Sequence, residues 1–138
     1  MATIRLRVIT PKTIVFEEEV LSVTAPSSEG EITVLPRHAR LFSLLTEVII
    51  TIRMKSAEET LAIGSGYLQT DGKELNVLVS RAYGQDKINE KVTEQAIENA
   101  KKILDKSTDV KEREDAAMLL RRSIVDLKLL KHRRKKML

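Results

Sequence analysis

The sequence predicts an α+β chain: an N-terminal antiparallel β-sandwich followed by a C-terminal antiparallel α-helical hairpin. Three observations predict it. Up to Tyr83-Gly84, apolar residues alternate in short runs separated by turn residues, the period-2 pattern of half-buried strands. From Asn89 onward there is no Gly or Pro, and apolar residues recur at three- and four-residue spacing. Charge divides at the same place. Residues 1–86 hold 9 Lys/Arg and 11 Asp/Glu, whereas residues 87–138 hold 15 and 9. Two modules with different partners account for such a split. We set them at 1–85 for the sandwich and 86–138 for the helical part.

The strands come first. In TIRLRVIT, Ile4, Leu6 and Val8 alternate with Arg5 and Arg7, and Pro11-Lys12 ends the run. TIVFEEEVLSVTA reads as the next strand, closed by a turn over Pro26-Ser27-Ser28-Glu29-Gly30. EITVL, the break at Pro36, VIITIRM and TLAIG follow, then Gly64-Ser65-Gly66 and YLQT. Asp71-Gly72 is a hairpin signal before ELNVLVS, because Gly supplies the positive φ such turns need. Many short strands with turn residues between them predict a sandwich or barrel.

The helices follow. Asn89 is placed to cap the first, with Glu90 in its first turn, and Val92, Ala96, Ala100, Ile103 and Leu104 share one face. Ser107-Thr108-Asp109 interrupts the pattern. Asp109 with Glu112 resembles a capping box, and Ala116, Ala117, Leu120, Ile124, Leu127 and Leu130 line the second helix. Small Ala residues let two such helices approach closely. Few large apolar residues support the hairpin, so it is a candidate detachable switch element.

Composition excludes several function classes. With no Cys there are no disulfides, thiolate zinc sites or cysteine nucleophiles. No apolar run approaches the ~20 residues of a membrane span. The start MATIRLRVITP lacks the apolar block of a signal peptide, and the reading is a soluble intracellular protein. Only two histidines are present, His38 and His132. Phosphate-binding glycine motifs and the Gly-x-Ser-x-Gly elbow are missing, and Glu17-Glu18-Glu19 cannot all face one site on a strand. We expect no catalytic residues, no metal site and no cofactor.

The chain ends in LRRSIVDLKLLKHRRKKML. Three partners suit it: solvent, nucleic acid, or an acidic protein surface. Phosphate binding needs Lys and Arg. Yet none of the four aromatics (Phe16, Phe42, Tyr67, Tyr83) lies in this segment, so base stacking has no platform. Apolar Leu127, Leu129 and Leu130 between the charges favour a helix laid on a protein partner. These features alone leave a small basic adaptor that binds nucleic acid through its tail as an alternative.

One segment is more specific. EGEITVLPRHARLFSLL, residues 29–45, resembles the signature of the epsilon subunit of F-type ATP synthases, with Gly30, Leu35-Pro36, His38-Ala39 and Leu41 as matches. AIGSGYLQT (62–70) and LVSRAYGQDKIN (78–89) resemble two further family segments in the same order. Thr33, Arg37, Arg40 and Glu47 are departures. Arg37 and Arg40 stand for the usual Gly and Pro around His38, so a different turn is expected there. Thr46-Glu47-Val48 lacks the usual Pro-Gly.

The resemblance implies a non-catalytic subunit of the central stalk (rotor) of a proton- or sodium-translocating ATP synthase. It implies that the sandwich binds the gamma subunit and the ring of c subunits, peripheral to the membrane, at the cytoplasmic face of a bacterial plasma membrane. No nucleic acid is among the implied partners. It further implies that the helices can rise into the catalytic head and inhibit ATP hydrolysis. There basic residues of the second helix would meet the beta subunit, with alpha beside it. Arg121, Arg122 and Lys128 are the residues expected to make that contact, because guanidinium groups pair bidentately with carboxylates. Glu29, Glu31 and His38 are expected on the face turned to the c ring. Some family members bind ATP in the hairpin. Here Asn89, Val92 and Asp126 replace residues of that motif, and a carboxylate where a cation is wanted disfavours phosphate. ATP binding is expected to be weak or absent.

Overall fold

The computed structural model describes residues 2–27, 30–37 and 40–137, and the side chains of 132–137 are not described. Among the described residues there are ten strands and then helices. The strands are β1 (Ile4–Ile9), β2 (Ile14–Val20), β3 (Ser22–Ser27), β4 (Gly30–Val34), β5 (Leu41–Leu45), β6 (Val48–Arg53), β7 (Glu58–Ile63), β8 (Gly66–Thr70), β9 (Glu74–Val79) and β10 (Ala82–Tyr83). A 3-10 turn at Gln85–Lys87 precedes α1 (Glu90–Lys106) and α2 (Val110–Met137). Two compact units divide between Gly84 and Gln85.

In the first unit the strands form two five-stranded sheets, ordered β2-β1-β9-β8-β5 and β10-β7-β6-β3-β4. Pairing is antiparallel except for β1 with β9, which run parallel. Alternate residues explain the core. Ile4, Leu6 and Val8 of β1 point inward with Leu75 and Val77 of β9 and Leu68 of β8, and meet Val23, Val34, Ile50, Ile52 and Ile63 from the other sheet. All are fully buried. Each such side chain contributes about 1.5–3 kcal/mol by leaving water.

The run TIVFEEEVLSVTA is not one strand. It breaks at Leu21 into β2 and β3, which belong to different sheets. Phe16 and Val20 lie opposite Val8 and Ile4, on the inward face, whereas the inward residues of β3 are Val23 and Ala25. The inward phase therefore moves from even to odd positions, and a one-residue slip reverses a strand's faces. A chain that changes sheet at a corner absorbs that slip. β3 continues through Pro26, which pairs with Glu31 of β4. Pro26 is tolerated because β6 accompanies β3 only over Ser22–Thr24. LFSLL also forms a strand, β5, which the turn pattern did not single out.

The second unit is a helical hairpin. Asn89 caps α1, its side-chain oxygen accepting from Val92 N at 3.1 Å. The buried face of α1 carries Thr93 and Ala100, with Ala96, Ile97, Ile103 and Leu104 beside them. Val92 is not part of it and is 62 % exposed. Positions 93, 97, 100 and 104 make a seam at alternating four- and three-residue steps, and Val92 lies outside that stripe. In α2 the buried face carries Ala116, Ser123 and Asp126, while Ile124 is 36 % exposed. The apolar pattern placed Ile124 inside. The helix instead turns the smaller Ser123 inward, and a small residue permits close helix approach. At the tip, Ser107 Oγ accepts from Asp109 N at 3.2 Å. Arg113 donates to the carbonyls of Leu104 and Ser107, satisfying the last turn of α1.

Candidate functional site

The outward side of the first sheet is apolar where the edge strand β5 lies. Phe42 is 59 % and Leu44 67 % exposed. Register sets Leu44 beside Tyr67, Tyr67 beside Leu78, and Leu78 beside Ile9. Phe42 stacks on Tyr67 with ring centroids 5.2 Å apart. The band thus crosses β5, β8, β9 and β1, and a hollow of about 460 Å³ lined by Ile9, Pro11, Tyr67 and Leu78 continues it. β5 carries no Lys, Pro or inward charge of the kind that protects a sheet edge. Contiguous exposed apolar surface of this kind marks an interaction site. The opposite edge differs. On β2, Glu17 accepts from Arg7 Nε at 2.6 Å and lies 3.7 Å from Arg5. Hydrogen bonding and charge from Glu17 raise the Arg7 pKa.

Beside the apolar band lies a polar hollow of about 480 Å³, lined among others by Arg40, Phe42, Gln69, Asp71, Glu74 and Asn76. The β8–β9 turn closes one side. Asp71 Oδ1 accepts from the N–H of Lys73 and of Glu74, both at 2.9 Å. These bonds, Glu74 first, hold the Asp71 carboxyl below its ordinary pKa. Arg37 N donates to Gly72 O at 2.9 Å, which ties the segment after β4 to this turn. Arg37 adopts φ 64°. Arg37 thus takes up the left-handed conformation itself, at a cost of about 1 kcal/mol.

On α2 the exposed cations separate by helical angle. Arg121 and Lys128 are seven residues apart and lie on one stripe, with Ile124 between them and Lys131 one turn beyond. Arg122 is about 100° away, next to Met118. Arg121, Arg122 and Lys128 have no hydrogen-bond or ion-pair partner among the described residues. Val125 and Leu129, three and seven residues beyond Arg122, are buried on that same side. Gln85 Nε2 donates to Leu129 O at 3.1 Å, so the 3-10 turn meets this part of the helix.

The sequence matches a family model for the β-sandwich domain of the ATP synthase delta/epsilon chain over residues 3–85. An ATP synthase epsilon chain of Sulfurovum sp. is 40 % identical over 106 residues, 74 % of this chain and 83 % of that one. This chain belongs to the ATP synthase epsilon chain family. A Moorella thermoacetica epsilon chain is 33 % identical over 129 residues, 93 % of this chain and 96 % of its own. The fold is shared with a chain in the Euglena gracilis mitochondrial ATP synthase, OSCP/F1/c-ring in rotational state 1. The TM-score is 0.81 at 20 % identity, over 91 % of this chain and 79 % of that one.

Of the three residues expected at the c ring, Glu31 alone is among the described residues. Glu31 stands at the start of β4, beside the Ser27–Gly30 closure of the β3–β4 hairpin. Arg37, Arg40 and the β8–β9 turn lie beyond the other end of β4. Glu29 and His38 themselves lie outside the described residues. So do the side chains of His132 and of the basic run 133–136. Of the departures from the ATP-binding motif, Asn89 is engaged in capping, Val92 is exposed and Asp126 is buried. Among the described residues, no three His, Cys, Asp or Glu are grouped to share a metal ion, and no helix is long and apolar enough to cross a membrane. Sequence reasoning missed the apolar band. Its signal was the pair Phe42 and Leu44 alternating with Ser43 in LFSLL.

Proposed function

We propose that this epsilon-family chain is a non-catalytic rotor and regulatory subunit. Its sandwich docks on gamma and the c ring, and its helical hairpin restrains ATP hydrolysis. The observation that carries this reading is the band of Phe42, Leu44 and Tyr67 across the outer face of the first sheet. Contiguous exposed apolar surface on a small domain marks a protein-interaction site. Gamma is the partner assigned to the band. The c ring is assigned to the Glu31 end, where a carboxylate suits a cationic loop.

For the hairpin, the unpaired stripe of Arg121, Ile124 and Lys128 has the chemistry for an acidic segment of the beta subunit, next to alpha. Exposed ion pairs contribute only ~0–1 kcal/mol each, so Ile124 between the two cations supplies the apolar part. The location that goes with this role is peripheral, at the cytoplasmic face of a bacterial plasma membrane. ATP is not a ligand of the hairpin in this reading, and no nucleic acid is a partner.

The test compares the assembled enzyme carrying the intact chain with one carrying a chain truncated after Gln85. The reading expects the truncated chain to remain bound to gamma while ATP hydrolysis rises. Loss of gamma binding on truncation would refute the role of the sandwich. Unchanged hydrolysis would refute the brake.

A further inference from the structure

We propose that the outer face of the first sheet receives a gamma segment in which an acidic side chain stands beside an apolar stripe, and that Arg40 pairs with that carboxylate. The inference rests on the docking reading above and adds the chemistry of the partner.

Three observations carry it. Arg40 is exposed at the mouth of the polar hollow, whose wall it shares with Phe42. It has no hydrogen-bond or ion-pair partner among the described residues. Of the two carboxylates of that hollow, Asp71 accepts from two backbone N–H groups, and neither forms an ion pair with Arg40 among the described residues. What remains unmatched is one guanidinium with five donors and no acceptor.

Its position beside the apolar band decides the partner. When a protein segment covers Phe42, Leu44 and Tyr67, water is excluded beside Arg40 and an ion pair there strengthens. A free phosphate would gain the guanidinium alone. A carboxylate presented on an apolar segment gains both surfaces, and its planar geometry matches the guanidinium fork. Arg37 is consistent with this use. It holds a second cation at the same end of the sandwich in a left-handed conformation that glycine adopts without strain.

The experiment measures binding of the full chain to the gamma subunit of the same enzyme at low and at moderate salt. Variants are Leu44→Asp, Arg40→Glu and Arg40→Pro. Arg40→Glu is expected to weaken binding about tenfold and to flatten its salt dependence, with Arg40→Pro intermediate. Leu44→Asp is expected to abolish binding. Leu44 is largely exposed, so a folded variant is expected, and circular dichroism checks it. If Leu44→Asp abolishes binding and Arg40→Glu does not alter it, the carboxylate partner is overturned while the docking face stands. If Leu44→Asp binds normally, the docking face itself falls. Competition by millimolar inorganic phosphate without gamma-specific salt dependence would overturn the protein carboxylate in favour of a free anion.

Discussion

Arg81 and Glu47 meet across 34 residues of chain as an ion pair whose side chains are 15 % and 14 % exposed. Arg81 donates to one carboxylate oxygen of Glu47 from Nε at 3.2 Å and from Nη2 at 2.5 Å. It also donates to the Tyr83 hydroxyl and lies over the Tyr83 ring, 4.9 Å from its centroid. The pair ties the start of β6 to the chain between β9 and β10, just before the boundary of the two units. This contact gives Glu47 a structural role. Removing one partner of a largely buried pair leaves a charge without compensation. Glu47→Ala is expected to destabilise the sandwich by about 2 kcal/mol. Both tyrosines of the chain, Tyr67 and Tyr83, lie in this unit, so tyrosine fluorescence in urea reports it directly. An unchanged midpoint would refute the role.

Gly66 is fixed by sterics. A Cβ at this position would stand 1.9 Å from Leu78 O and 2.7 Å from Val79 Cα. Both neighbours are backbone, so β8 and β9 would have to separate at the register Gly66↔Val79. Gly66→Ala is expected to cost about 3 kcal/mol or more. Thermal melting of the full chain checks this, and a loss within ~0.5 kcal/mol, the size of a neutral surface change, would contradict it.

The turn at Asp71 predicts a pH dependence. Its carboxylate is held below the ordinary range by N–H groups of Glu74 and Lys73. The folded state therefore favours the charged form. Its contribution is complete above about pH 4, the ordinary aspartate pKa, and is lost as pH falls through the lowered native value. Asp71→Ala is expected to lower Tm at neutral pH, with the deficit shrinking below about pH 4. Melting curves across that range provide the measurement. A deficit independent of pH would mean that the carboxylate charge is not what the turn uses.

The two sides of α2 predict different effects of charge reversal. Arg121→Glu with Lys128→Glu changes the stripe that also exposes Ile124, whereas Arg122→Glu changes a face about 100° away. The double variant is expected to raise ATP hydrolysis by the assembled enzyme several-fold, about one kcal/mol of lost attraction. Arg122→Glu is expected to do less. Steady-state hydrolysis with both enzymes decides it, and a larger effect from Arg122 would assign the contact to the other face.

Much of this molecule was legible in local pattern. Alternation in TIRLRVIT determined a strand and its inward residues, and the Asp71-Gly72 signal set off ELNVLVS as another strand. The loss of Gly and Pro after Gly84 determined where strands give way to helices, and Asn89 determined the first cap. These features are local because each depends on backbone conformation and on side chains a few residues apart. Tertiary structure decided the rest. It split the long run at Leu21 between two sheets, set β1 parallel to β9, and made β5 an edge. It also turned Ser123 rather than Ile124 inward and gave Glu47 its partner in Arg81. Period-2 alternation states that a strand has two faces, not which neighbour it pairs with or which edge is left open. The exposure of Phe42 and Leu44 follows from that edge position. The apolar band that the proposed gamma contact uses thus comes from long-range pairing that no window of sequence contains.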